Sequence, residues 1–133
     1  MSFLLDTNVC IKLIKGNQPS FINKIKTIGM DNIYICSIVR YELYYGAFKS
    51  QKKEENLNKL EIFLNSFKNL DFDIKSAEIC GRIRSNLEFK GTPIGSYDIM
   101  IASIALRNKL TLVTHNISEF SRIKDLVIED WEM

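Results

Sequence analysis

The chain has 133 residues, 46% hydrophobic and 26% charged, with a formal net charge of +2 at pH 7. These values suit one globular domain over residues 1–133 with enough apolar side chains for a core. No apolar stretch approaches the roughly 20 residues of a membrane span, and the N-terminus lacks signal-peptide features, so we expect a cytoplasmic protein with no membrane partner.

The apolar pattern predicts strands that alternate with helices. In the first half of the chain the predicted elements are a strand at 3–5, a helix at about 9–15 that ends at Gly16, a helix after Pro19, a strand at 33–36, a helix at about 38–49 and a helix at 54–67. Asp6, Thr7 and Asn8 can cap the first helix, and Ser37 can cap the third.

The second half continues the alternation. Its predicted elements are a strand at 70–72, a helix at 76–90 that ends at Gly91, a helix at 97–108, a strand at 110–113 and an edge strand around Ile128. Ser96 can cap the helix that begins at 97, which is nearly all apolar or small and is expected to be buried. Together the elements predict an α/β, three-layer sandwich with a short, mostly parallel central sheet.

Polar residues follow the predicted strands at the points where ligand sites form in such sheets. Asp6 comes directly after the first strand, Glu42 lies one turn into the helix after the second, and Asn116 follows the strand that ends at residue 113. Asp98 lies at the start of the buried helix. We therefore expect these four side chains to converge on one edge of the sheet.

Each acid also has an ordinary explanation. Asp6 could be only a helix cap, Glu42 a solvated helix position, and Asp98 a favourable charge at the positive end of its helix. The surroundings of two of them argue for more, because aromatic residues flank Glu42 and the apolar segment 99–102 follows Asp98.

Clustered carboxylates repel one another unless a cation neutralises them, so the predicted cluster implies a metal. Oxygen ligands favour Mg²⁺ or Mn²⁺, which can activate a water and stabilise a leaving oxygen.

The cysteines and the histidine of the chain do not fit the spacing of a metal site. The cysteines Cys10, Cys36 and Cys80 are odd in number and widely spaced, and His115 has no Cys or His nearby, so we expect small buried thiols and a loop or surface histidine.

The net charge is too small to identify a nucleic-acid binder. If the acids gather in one pocket, however, the remaining surface is more basic than the total indicates. Six residues then become candidate phosphate contacts, although each also fits a solvated helix face: Lys49, Lys52, Lys53, Arg82, Arg84 and Lys90.

Four motif blocks, in order along the chain, resemble the PIN-domain ribonucleases of the VapC toxin type. They are Leu4-Leu5-Asp6-Thr7-Asn8, Arg40-Tyr41-Glu42-Leu43 with Gly46, Gly91-Thr92-Pro93-Ile94-Gly95 leading to Asp98, and Leu112-Val113-Thr114-His115-Asn116 with Glu119-Phe120. The resemblance extends to Ile128-Glu129-Asp130-Trp131 near the end of the chain. Single blocks are weak indications, but four in this order are specific.

The resemblance implies a PIN-like fold and a Mg²⁺-dependent endoribonuclease that acts on structured RNA, commonly tRNA. It also implies the toxin half of a toxin–antitoxin pair, a homodimer held by a VapB-like antitoxin that alone contacts operator DNA. By the same resemblance Asp6, Glu42 and Asp98 bind the metal. Thr7, Asn8 and Ser96 support the site by orienting a carboxylate or a water.

One position departs from the family pattern. Where many relatives have a fourth Asp, this chain has Asn116, a neutral and weaker ligand that can hold a water at the metal. Glu119 is the candidate for the missing charge. The aromatic residues Tyr41, Tyr44, Tyr45 and Phe48 are expected to be a mixture of core, dimer and antitoxin contacts.

Two other functions are compatible with parts of the sequence. A phosphoacceptor signalling domain shares the size, fold class and acidic Mg²⁺ pocket, but it resembles a pattern with paired acids after the first strand, whereas Asp6 is followed by Thr7 and Asn8. A catalytically inactive RNA-binding or scaffold module would not need its acids together.

Overall fold

The architecture is a parallel β-sheet flanked by helices, described here from a computed structural model for residues 1–16 and 18–132. The domain expected over 1–133 therefore includes two positions, 17 and 133, outside the described residues. Within the described ranges the sheet has five strands in the order β3-β2-β1-β4-β5, and every pairing is parallel. The strands are β1 (Phe3–Leu5), β2 (Ile33–Cys36), β3 (Lys68–Leu70), β4 (Thr111–Val113) and β5 (Ile128–Glu129).

Helices connect the strands. They are α1 (Thr7–Lys15), α2 (Pro19–Ile28), α3 (Ser37–Phe48), α4 (Lys53–Asn65), α5 (Ile74–Phe89), α6 (Ser96–Arg107) and α7 (Ile117–Phe120), with one 3-10 turn at Met30–Asn32. Right-handed crossovers place α1 to α4 on one face of the sheet and α5 to α7 on the other. The contacts agree, since α3 packs on α4 and α1, and α5 packs on α6. The predicted three-layer α/β class is thus confirmed.

The core is formed by the central strands and the helix faces that cover them. All three residues of β1 and of β4 are buried, and α6 is buried almost without interruption from Ile99 to Ala105. Among the described helices none combines the length and the apolar character needed to cross a membrane.

Three local predictions were wrong. The strand predicted at 70–72 lies at Lys68–Leu70, where it pairs with β2 as an edge strand and exposes Lys68 and Asn69, so its apolar pattern is weak. Ser37 is not a cap: its hydroxyl accepts the backbone N–H of Phe72 at 3.2 Å. Ser96 is the first residue of α6 and also makes no capping hydrogen bond, because Gly95 occupies the cap position.

Helix α2 provides a matched test of the core, since Phe21 is fully buried and its neighbour Ile22 is 42% exposed. Phe21→Ala should lower the free energy of unfolding by about 3–5 kcal/mol, because it removes buried apolar surface and leaves a cavity. Ile22→Ala should change it by only about 0.5 kcal/mol. Urea unfolding at one protein concentration measures both; equal losses would contradict the packing of Phe21 in the core.

Candidate active site

Asp6 lies at the end of the central strand β1 and is almost fully buried. Its Oδ1 accepts the backbone N–H of Val9 at 2.9 Å and thereby caps α1, and the side chain of Thr114 is a second hydrogen-bond partner. The backbone N–H of Asp6 donates to the carbonyl oxygen of Val113 at 3.1 Å. These contacts fix the carboxylate at the junction of β1 and β4.

Burial is the largest reason that the pKa of Asp6 is raised above its ordinary value. Hydrogen bonds from Thr114 and Val9 stabilise the charged form and act in the opposite direction. The negative charges of Glu132 and Glu42 raise the pKa further. The site therefore holds a carboxylate whose charge is only partly compensated by the protein.

Asp98 is the third residue of α6 and is half-buried. Burial is the main cause that raises its pKa from 3.8 to about 6, followed by the charges of Glu119, Glu42 and Asp6. Electrostatic effects of this kind fall off with distance, so Glu119, Glu42 and Asp6 all lie near Asp98. The sequence expectation that Asp6, Glu42 and Asp98 converge agrees with this placement.

Glu42 is the sixth of the twelve residues of α3, between one and two helical turns after β2 ends. Thr7, the first residue of α1, donates its hydroxyl to Glu42 Oε1 at 2.6 Å. This hydrogen bond joins two helices and directs the carboxylate of Glu42 toward the edge where Asp6 lies. Thr7 thus occupies the orienting position expected from the sequence.

Asn116 and Glu119 follow β4 and differ in their relation to the acids. The backbone N–H of Asn116 donates to Thr114 Oγ1 at 3.0 Å, which places the loop beside Asp6. Glu119 lies in the short helix α7, and among the neighbouring charges it raises the pKa of Asp98 the most. Glu119, rather than Asn116, therefore adds a fourth negative charge to the cluster.

A groove of about 460 Å³ opens beside Asp6. Its other lining residues come from α1 and from the loop after β4: Asn8, Ile11, Lys12, Lys15, His115 and Asn116. Asn8 is exposed there and available to a ligand, whereas Ser96 is exposed at the start of α6 and does not line this groove.

Sequence reasoning missed two lysines and one threonine. Lys12 and Lys15 line the groove, and the helical spacing of Asn8, Lys12 and Lys15 on one face of α1 was the signal that could have found them. Thr114 lies in the last of the four motif blocks, and its side chain is a hydrogen-bond partner of Asp6 that the motif alone did not indicate. None of the six basic residues nominated from the sequence lines the groove.

Two of those six basic residues, Arg82 and Arg84, lie exposed on α5, where they pair with glutamates of their own helix. The distances are 4.0 Å from Arg82 to Glu78 and 3.0 Å from Arg84 to Glu88. These contacts support the interpretation of a solvated helix face for this pair.

The donor set of the cluster suits a hard divalent cation. Its side chains offer carboxylate oxygens, and their mutual repulsion is what a bound cation would relieve. Thiolates are not available nearby, because burial raises the pKa of Cys10 well above its ordinary value and that of Cys36 to about 11. Both cysteines are buried, as expected, whereas Cys80 is only partly buried.

Comparison with known proteins agrees with this geometry. Residues 3–126 match the family described as PIN domain. The chain is 44% identical to ribonuclease VapC2 of Rickettsia felis over 133 residues, covering 99% of both chains. It is also 44% identical to the tRNA(fMet)-specific endonuclease VapC of Salmonella typhimurium over 131 residues, covering 98% of both.

A similar solved structure is DNA-bound VapBC from Salmonella typhimurium. The TM-score is 0.93 at 42% identity, and the match covers 98% of each chain. The similarity therefore extends over the whole sheet and the acidic edge.

The raised pKa of Asp98 has a consequence for stability. Between its ordinary value of 3.8 and the folded value of about 6, the folded state binds more protons than the unfolded state, so ionised Asp98 destabilises the fold above pH 6. Asp98→Asn should therefore raise the melting temperature of the metal-free protein at about pH 7.5, and the gain should vanish near pH 4. Melting curves in EDTA check this; a gain that grows as the pH falls would contradict it.

Proposed function

The chain belongs to the PIN-domain family, and from this membership we propose that it is the ribonuclease toxin of a VapBC-type toxin–antitoxin pair. The family resemblance inferred from the motif blocks is confirmed. The protein is a metal-dependent endoribonuclease that hydrolyses phosphodiester bonds. The observation that carries this function is the electrostatic coupling of Asp98 to Glu119, Glu42 and Asp6 at one edge of the sheet.

Residues 1–133 constitute one PIN-like nuclease domain in this proposal, and the protein acts in the cytoplasm, where its substrate is found. The substrate is structured RNA, with tRNA as the preferred class. Support comes from the relative named as a tRNA(fMet)-specific endonuclease, with 44% identity over almost the full chain.

Asp6, Glu42 and Asp98 would hold Mg²⁺, and Mn²⁺ would suit the same residues, because both cations prefer carboxylate oxygens. When bound, the cation supplies a Lewis acid that orients the scissile phosphate and lowers the pKa of a water. Hydrogen bonds within the chain hold two of these carboxylates in place. Thr7 fixes Glu42, while Thr114 and the N–H of Val9 fix Asp6.

The other polar residues of the edge act on the substrate and the water. Glu119 supplies the fourth negative charge that Asn116 cannot, and Asn116 orients a water through its amide. Asn8 and Ser96 assist at the rim of the site. Lys15 is exposed in the groove beside Asp6 and binds an RNA phosphate next to the scissile one, which places the acidic centre against a polyanion.

A VapB-like antitoxin occupies a second, largely apolar groove of about 320 Å³ between α1, α3 and α4. Leu43, Ala47 and Leu60 form its floor, and Glu42 lies at its margin. An antitoxin segment seated here would pass directly beside an active-site carboxylate and block the substrate. The similar VapBC structure bound to DNA supports such a pairing. In this proposal the antitoxin alone contacts operator DNA.

The homodimer uses an aromatic surface made by Tyr41, Tyr45, Phe48 and Tyr97. These side chains are between 44% and 58% exposed. The hydroxyls of Tyr41 and Tyr97 are 3.0 Å apart, so α3 and α6 present one joint surface. Exposed aromatic clusters of this kind are typical of protein interfaces.

Asp98→Asn tests the proposed mechanism. Asn keeps the shape of the side chain but removes a negative charge that holds the cation, so Mg²⁺-dependent cleavage of total tRNA should fall by about 10² to 10³ or more. Asp6→Asn should reduce this cleavage to a similar extent, because it also removes a negative charge that holds the cation. The measurement is single-turnover cleavage followed by gel electrophoresis, with thermal melting of each variant.

Asp31→Asn is the matched control, because it makes the same chemical change at an exposed position outside the cluster, and it should cleave like the parent chain. Undiminished cleavage by Asp98→Asn, or parental cleavage that persists in excess EDTA, would refute the metal mechanism. A parental chain that binds tRNA without cleaving it would instead support an inactive RNA-binding module.

Glu119→Gln should raise the Mg²⁺ concentration needed for half-maximal cleavage by about tenfold. The reason is that it removes the negative charge with the largest effect on the pKa of Asp98. Asn116→Ala should leave that Mg²⁺ requirement nearly unchanged and lower the maximal rate instead. Cleavage rates measured over a Mg²⁺ series distinguish the two roles. The opposite pattern would assign cation binding to Asn116.

A further inference from the structure

A second set of potential metal ligands lies where the C-terminal segment meets the loop after β4. His115, Asp130 and Glu132 each contribute one ligand atom, and these atoms lie within 4.8 Å of one another. His115 Nδ1 is 2.9 Å from Asp130 Oδ2 and 3.2 Å from Glu132 Oε2. None of these residues affects the pKa of Asp98, although the negative charge of Glu132 does raise the pKa of Asp6.

The two carboxylates are held in place by their other oxygens. Asp130 Oδ1 accepts the backbone N–H of Glu132 at 3.0 Å, and Glu132 Oε1 forms an ion pair with Lys12. The remaining oxygen of each carboxylate faces the imidazole. Within the described part of the chain Glu132 Oε2 is buried and lacks a hydrogen bond of good geometry, which is a costly state for a carboxylate oxygen.

The spacing of the three ligand atoms leaves room for a small tetrahedral cation after a small shift. Ligand atoms at about 2.0–2.1 Å from a tetrahedral Zn²⁺ lie ~3.3 Å apart. Glu132 Oε2 is 3.2 Å from His115 Nδ1, whereas Asp130 Oδ2, hydrogen-bonded to it at 2.9 Å, would have to move outward. One imidazole nitrogen with two carboxylate oxygens favours Zn²⁺ over Mg²⁺. The His115 side chain is 62% exposed, so solvent can supply a fourth ligand.

We propose that His115, Asp130 and Glu132 form a Zn²⁺ site that is separate from the acidic active site. Lys12 remains paired with Glu132 Oε1, so Glu132 binds the cation through one oxygen. The site ties the C-terminal segment to the loop that carries Asn116, and it lies beside the groove that Lys12 and His115 line. The proposal does not depend on the ribonuclease function.

Zinc titration of the full chain tests this site, with the protein free of any affinity tag, stripped with EDTA and kept in excess Mg²⁺. Calorimetry should give one Zn²⁺ per chain. Trp131, the only tryptophan, lies between the two acidic ligands and provides an independent fluorescence signal. His115→Gln and Asp130→Asn should each weaken binding by about tenfold or more, because losing a ligand costs at least as much as losing its supporting contacts.

Two control variants separate this site from others. Asp98→Asn should keep the zinc affinity, because none of the three proposed ligands affects the pKa of Asp98, whereas Glu132 does affect that of Asp6. Cys80→Ser should also keep it, which removes the partly buried thiol from consideration. Melting temperatures in EDTA show that the His115→Gln and Asp130→Asn chains are folded, and Co²⁺ should give the intense visible absorption of a four-coordinate site.

No saturable Zn²⁺ binding in the presence of Mg²⁺ would overturn the proposal. Unchanged affinity in folded His115→Gln or Asp130→Asn, or loss of binding only in Asp98→Asn, would overturn it as well. In each of these cases the three side chains form an ion-paired cluster without a metal.

Discussion

Strand β1 pairs in parallel with β2 on one side and with β4 on the other, and this position sets the geometry of the acidic edge. Because the strand order reverses here, the helices that follow β1 and those that precede β4 lie on opposite faces. Glu42 therefore lies in a helix on one face of the sheet, α3, and Asp98 lies in a helix on the other face, α6. The N–H of Asp6 bonded to Val113 closes the junction between them.

At the acidic edge, what function requires lowers the stability of the fold. Burial and mutual repulsion raise the pKa of both Asp6 and Asp98, so the folded chain carries these charges at a cost. Hydrogen bonds from Val9 and Thr114 offset part of this cost at Asp6, whereas no hydrogen bond from the described residues lowers the pKa of Asp98, which is raised to about 6. A bound cation would neutralise such uncompensated charge.

The same sheet also organises the C-terminal segment. After β5, the indole of Trp131 packs edge-on against Phe3 of the central strand, with ring centroids 5.5 Å apart. This contact sets the side chains of Asp130 and Glu132 against His115. The acidic edge offers oxygen ligands and the C-terminal cluster adds an imidazole, so the two proposed sites would favour different cations.

The sequence by itself determined the α/β class, the buried central strands, the position of Asp6 directly after β1 and that of Asp98 at the start of a buried helix, because these depend on local apolar runs. It could not locate β3, whose edge position tolerates polar residues and leaves no apolar signal. Only the tertiary structure decided which distant groups meet, such as Glu119 near Asp98, or Glu132 with Lys12 across 120 residues. Those contacts depend on helix packing and strand order, which no local pattern encodes.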